Sequence, residues 1–127
     1  MIGKEYRSFS GDIEGTDDYS IYQTERWFPV DHLTPAGYQI PLPNGSYQIT
    51  LHFVEVYYRQ GGKRWFDVLV EDLPVPALKG YDPCEAGFKV ADHRSFPATV
   101  SDGKLDIELV RQLDSPKISG IEIRPVR

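Results

Sequence analysis

Residues 44–53 read Asn44-Gly45-Ser46-Tyr47-Gln48-Ile49-Thr50-Leu51-His52-Phe53, and this stretch decides the fold. Asn-Gly tolerates positive φ and marks a turn. After it, Tyr47, Ile49, Leu51 and Phe53 alternate with Gln48, Thr50 and His52. A period of two sets these groups on opposite faces of a strand, one against a core and one toward water. The strand is read as continuing through Val54-Glu55-Val56-Tyr57-Tyr58, where the alternation breaks. A bulge near Phe53–Val54, or burial of both faces, accounts for the break.

The pattern repeats outward from there. Gln60-Gly61-Gly62-Lys63 is a turn, and Arg64 to Val70 a second long strand. Phe66, Val68 and Val70 share one face of it, and Trp65, Asp67 and Leu69 the other. Pro74 and Pro76 end that strand because they remove ladder donors. Ser101-Asp102-Gly103-Lys104 is a third turn, followed by Leu105, Ile107 and Leu109 alternating with Asp106 and Glu108. Ile118 to Ile123 forms the last strand, with Ile121 and Ile123 inward. Weaker strands are expected at Tyr19–Thr24, Tyr38–Leu42 and Ser95–Val100, and loop at Ser10–Gly15. No window carries the i, i+3, i+4, i+7 spacing of an amphipathic helix. Short strands punctuated by Gly, Pro, Asn and Asp predict an all-β fold, a two-sheet jelly-roll sandwich in a single domain spanning 1–127.

Composition narrows the function classes. With 14 Lys and Arg against 19 Asp and Glu in 127 residues, the net charge is −5. Nucleic acid and anionic lipid both call for a dense basic face, so neither is expected as a partner. No apolar run approaches a membrane span, and none follows Met1 as a secretory leader requires. A domain cut from a longer secreted protein begins in the same way, so an extracellular setting stays open. The single cysteine, Cys84, excludes an internal disulfide and a multi-cysteine zinc site.

Catalytic patterns are sparse. His32, His52 and His93 are scattered, and no Gly-x-Ser-x-Gly elbow is present. The pattern reads them as polar surface groups. No metal-binding motif occurs, although Asp17-Asp18 and Asp102 are acids of the type that touch calcium. Glu55 and Asp67 lie on long strands and are the pair to consider for glycoside hydrolysis. Against this, aromatic residues reach 13% of the chain. Tyr57 and Tyr58 at the end of a strand, beside Gly61-Gly62, offer flat rings with hydroxyls, which suits a ligand with an apolar face and many hydroxyls. Sugars are such ligands. Trp65, opposite in facing to Phe66, is a further surface platform candidate.

Six segments, in order, carry a family resemblance: Tyr22-Gln23-Thr24-Glu25-Arg26-Trp27, Leu51 to Tyr58, Arg64-Trp65-Phe66-Asp67-Val68, Asp102-Gly103-Lys104-Leu105, Asp114-Ser115-Pro116-Lys117-Ile118 and Ile121-Glu122-Ile123. Over about Asp18 to Ile123 the chain resembles the malectin domain. The resemblance implies a lectin fold of jelly-roll type that binds carbohydrate without catalysis or cofactor. Animal members recognise glucose-containing oligosaccharides, and bacterial relatives are modules attached to glycoside hydrolases. The family pocket combines loop aromatics with an acid. Carried onto this chain, the resemblance assigns carbohydrate binding to Tyr22, Tyr57, Tyr58 and Asp114. Tyr57-Tyr58 stands where animal members have Tyr-Phe. Tyr19 is the nearest match to a further pocket tyrosine, and Trp27 flanks the pocket. Met1–Gly15 lacks the Asn and paired glycines that usually open the family. The isolated domain is expected to be a monomer. Two rival classes remain: a protein-interaction sandwich, and a small hydrolase built on Glu55 or Asp67.

Overall fold

The computed structural model describes residues 5–8, 24–27 and 37–126, and among these it holds ten strands and no α-helix. The strands are β1 (Glu5–Ser8), β2 (Thr24–Trp27), β3 (Gly37–Pro41), β4 (Gly45–Phe53), β5 (Trp65–Val70), β6 (Leu73–Pro74), β7 (Asp92–Val100), β8 (Lys104–Leu113), β9 (Lys117–Ile118) and β10 (Gly120–Pro125). Two sheets, β10-β4-β7 and β3-β8-β5-β6, make the sandwich, and β1-β2-β9 forms a small third sheet. All the strand pairs are antiparallel.

Alternation builds the core as expected. Tyr47, Ile49, Leu51 and Phe53 of β4 meet Phe66 and Val68 of β5 and Leu105, Ile107 and Leu109 of β8 in one buried cluster. Ile121 and Ile123 pack against it from β10. Among the described residues Tyr81 is the largest fully buried side chain; its ring lies 4.6 Å from that of Phe53 and 5.9 Å from that of Phe66. Its hydroxyl donates to Asp92 Oδ2 at 2.7 Å, so this one polar atom in an apolar setting is satisfied. Burial first, and then the Asp92 carboxylate, push the Tyr81 hydroxyl well above its ordinary pKa.

The two turns singled out in the sequence do more than reverse the chain. Asn44-Gly45 carries it from β3 into β4, and 101–103 carries it from β7 into β8, each time from one sheet to the other. The turns also hold each other: the Gly103 N–H donates to Asn44 Oδ1 at 2.8 Å, and the Leu42 N–H to Gly103 O at 3.1 Å. Asp102 is occupied within its own turn, accepting from the Lys104 N–H at 3.4 Å. At Gly37, φ is +149°, and an added Cβ would sit 2.0 Å from Ile107 O, so β3 approaches β8 closely only because this residue has no side chain.

Several expectations need correction. The first long strand does not run to Tyr58; it ends at Phe53, and Glu55 makes only an isolated bridge to Phe88. The broken alternation marks the chain leaving the sheet, with Leu51 to Glu55 all buried. His52 is not a wet-face residue: it is 9% exposed, and its Nε2 lies 2.6 Å from Glu122 Oε1. The second strand ends at Val70 as expected, but a turn, and not its prolines, ends it. Glu71 and Asp72 both take positive φ, 52° and 64°, in a tight turn, and Pro74 then pairs with Leu69 in the short β6. The final segment is two strands, β9 and β10, interrupted at Ser119. The stretch before residue 10 contains a strand, β1, whose four residues are too few and too polar for a period of two to show. Most of the strand expected at Tyr19–Thr24, and the loop expected at Ser10–Gly15, lie outside the described residues.

Candidate functional site

Three segments converge at one end of the sandwich: 54–64 between β4 and β5, 81–90 before β7, and 114–116 between β8 and β9. Asp82 ties the first two together. Its Oδ2 accepts from the Gly62 N–H at 2.7 Å and its Oδ1 from the Cys84 N–H at 2.8 Å. Glu55 O accepts from the Lys89 N–H at 2.7 Å, and the Arg59 guanidinium lies 4.6 Å from the centre of the Phe88 ring. Cys84 is buried behind these loops, its thiol pushed up in pKa by burial, so it reads as a packing residue.

Beneath the loops sits a buried charge cluster. Glu55 is 0% exposed; Oε1 accepts from Arg64 Nε at 2.9 Å, and Oε2 accepts from Lys117 Nζ at 2.9 Å and from the Tyr57 N–H at 3.2 Å. Arg64 Nη1 also donates to Ser115 O at 2.5 Å and lies 3.9 Å from Asp114 Oδ1. Two buried cations thus face one buried carboxylate, and Asp114 supplies the second negative charge. Desolvation works to raise the Glu55 pKa, but the charges and hydrogen bonds of Lys117 and Arg64 outweigh it, and Glu55 titrates below its ordinary value.

On this base stand the surface groups. Asp114 has a φ of 59°, a left-handed conformation that Asp tolerates better than most residues. Its Oδ1 accepts from the Ser115 N–H at 2.7 Å, and its Oδ2 accepts from the Tyr58 hydroxyl. The Arg64 guanidinium is 5.1 Å from the Tyr58 ring centre, and the Tyr57 ring meets that of Tyr58 edge to face, with centroids 4.8 Å apart. Tyr57 is 64% exposed, whereas Tyr58 is half-buried. On a regular strand these neighbours would point apart; the bend after Phe53 lets the rings meet. The result is a corner of two perpendicular rings beside a carboxylate.

A carboxylate has about four lone-pair sites. Two of those on Asp114 are taken by Ser115 and Tyr58, and with its side chain 29% exposed the rest can reach a ligand. Burial raises the Asp114 pKa, but the Tyr58 hydroxyl, the Ser115 N–H and the Arg64 and Arg111 charges together hold it below the usual value. Tyr58 is raised, first by its bond to Asp114, so it stays a neutral donor at neutral pH. The sign for stability follows. Two carboxylates depressed on folding contribute stability that is present above about pH 4, their unfolded range, and is lost as pH falls through their lower folded values. Denaturant midpoints are expected to hold between pH 7 and pH 5 and to drop below about pH 4.

Of the residues assigned by resemblance, Tyr57, Tyr58 and Asp114 come together. Tyr19 and Tyr22 lie outside the described residues. Trp27 is described only by its backbone, opposite Lys117 in the β2–β9 pairing. Sequence reasoning missed Arg64 and Lys117. The hydrolase pairing does not form. Glu55 is sealed among Arg64, Lys117 and Tyr57, while Asp67 faces outward and binds the Gly80 N–H at 2.6 Å and Gln112 Nε2 at 3.2 Å. Among the described residues no three His, Cys, Asp or Glu side chains group to hold a metal ion, and no helix is long and apolar enough to cross a membrane.

The family profile described as Malectin domain matches residues 2–121, nearly the whole chain. The chain belongs to the malectin family. It is 33% identical over 94 residues to Malectin-B of Xenopus laevis, covering 72% of this chain and 32% of that protein. It is 31% identical over 94 residues to human Malectin, covering 72% and 30%. A probable leucine-rich-repeat receptor-like serine/threonine-protein kinase of Arabidopsis thaliana is 32% identical over 126 residues, covering 84% and 12%. The chain therefore spans about a third or less of each of these relatives. Among solved structures, the fold matches a β-glucuronidase of Bacteroides uniformis (TM-score 0.84, 24% identity, 99% of this chain, 14% of that one). It also matches the ANXUR1 extracellular domain of Arabidopsis thaliana (TM-score 0.83, 13% identity, 100% and 39%). At these identities the likeness is one of fold. This malectin domain shares its scaffold with modules set in much larger chains.

Proposed function

We propose that this malectin domain binds glucose-containing oligosaccharides, without catalysis, at the corner formed by Tyr57, Tyr58 and Asp114. The observation that carries the reading is the Tyr58 hydroxyl bound to Asp114 with the Tyr57 ring exposed at right angles beside it. The apolar face of a pyranose lies on the Tyr57 ring, and two neighbouring hydroxyls donate to the open lone pairs of the Asp114 carboxylate. Tyr22, Tyr19 and Trp27 belong to the same proposal through the family resemblance alone.

Charge-assisted hydrogen bonds are worth ~1.5–3 kcal/mol, but water competes for every hydroxyl of a sugar. Affinity is therefore expected between micromolar and millimolar, about 4–8 kcal/mol. The same loops sequester Glu55 on two cations, which leaves that acid unable to protonate a leaving group. An array of α- and β-linked gluco-oligosaccharides tests the proposal. Selective retention of glucose-containing members without release of reducing ends is the expected result. Retention of a protein partner with no sugar bound would overturn it in favour of an interaction module, and reducing ends released would overturn it in favour of a hydrolase.

A further inference from the structure

The outer face of the four-stranded sheet carries groups that the corner site leaves unused. Trp65 and Asp67 flank the buried Phe66 on β5 and so both project away from the core. Trp65 is 37% exposed and stands opposite Leu113, itself 38% exposed. The register shifts between Trp65 and Phe66, which leaves Gln112 as an extra residue of β8. From there its side-chain amide reaches Asp67 Oδ2 at 3.2 Å, while the Gly80 N–H holds Oδ1 at 2.6 Å. Beside Asp67 lies a groove of about 350 Å³ lined by Asp67, Leu69, Pro74, Lys79 and Val110. Along β5 the order is an aromatic plate, then a carboxylate and an amide, then a groove with an apolar floor and a lysine.

This strip begins where the corner ends. Arg64, under the Tyr58 ring, immediately precedes Trp65, and Asp114 immediately follows Leu113. Residues two apart on a strand are ~6–7 Å apart, so Trp65 and Asp67 can serve neighbouring sugar units. Resting on the reading of the corner as a sugar site, we infer that Trp65, Asp67 and Gln112 form an extended subsite for a longer oligosaccharide. The ligand class is then a linear glucan segment, with Trp65 as a second stacking platform and Asp67 and Gln112 as partners for its hydroxyls.

Chain-length dependence separates the two ideas. Matched disaccharides and hexasaccharides of α- and β-linked glucose are titrated against the wild-type protein, W65A, Q112A and D114N. The wild type is expected to bind its preferred hexasaccharide at least ten-fold tighter than the disaccharide. W65A should lower hexasaccharide affinity to that of the disaccharide, whose affinity it retains, and Q112A should narrow the gap in the same direction. D114N should weaken both lengths. Equal affinity for the two lengths, or an undiminished preference for the longer one in both W65A and Q112A, overturns the extended subsite and leaves the corner standing. Binding of neither length by the wild type overturns the corner, and the extension with it.

Discussion

Glu55→Gln is expected to lower the stability of this domain by about 3 kcal/mol or more, in line with the cost of removing one partner from a buried ion pair. The variant keeps the shape of the side chain and its capacity to accept one hydrogen bond. It removes the charge that holds Arg64 Nε and Lys117 Nζ, each at 2.9 Å, while Asp114 stays 3.9 Å from Arg64. A domain of this size has ~5–15 kcal/mol of total stability, so the loss is a large part of it. Roughly ten degrees off the melting temperature is the corresponding thermal effect. The Glu122→Gln variant is the matched comparison. Glu122 pairs with His52 at a site where its own side chain is 41% exposed, and such pairs contribute ~0–1 kcal/mol. Equal denaturation midpoints for the two variants would contradict the account of the buried cluster as the base of the loops.

Asp114→Asn is expected to weaken gluco-oligosaccharide binding by ~10- to 100-fold, the factor that 1.5–3 kcal/mol represents. Asn also tolerates the left-handed backbone conformation at this position, so the loop geometry has a reason to persist. The amide, however, offers fewer acceptor sites and no charge, and the Tyr58 hydroxyl and the ligand then compete for one oxygen. Tyr57→Ala tests the apolar half of the site. Its ring is mostly exposed, so its removal is expected to leave stability nearly unchanged while affinity falls about ten-fold. Isothermal titration with a bound gluco-oligosaccharide reads both. Unchanged affinity in D114N and Y57A together would remove the corner from the binding site.

The reach of the sequence differs from element to element. In β4, β5 and β8 a period of two is written over at least six residues each, and one face of each strand had to be buried, so both their existence and their facing were legible. The end of β4 was misread because an apolar run continues through Val54 and Val56. There, burial is set by loops folding over the chain rather than by sheet pairing. Glu71-Asp72 gave no turn signal because it has neither Asn nor Gly; its two positive φ values follow from the hairpin between β5 and β6. For the candidate site, the Tyr57-Tyr58 and Asp114 motifs named residues that the fold brings into contact. The ion cluster beneath them joins residues 9 and 62 positions apart, and no local pattern encodes such a pairing. A glutamate inside the run Leu51 to Val56 was the available hint, since a charge in an apolar run needs a buried partner.

The most direct test of the central claim is a chemical-shift-mapped titration of the assigned domain with a glucose-containing oligosaccharide. The account predicts saturable shifts concentrated at Tyr57, Tyr58 and residues 114–117, with the β10-β4-β7 face unmoved. Saturable shifts confined to that opposite face, or no shifts with any gluco-oligosaccharide at millimolar concentration, would contradict it.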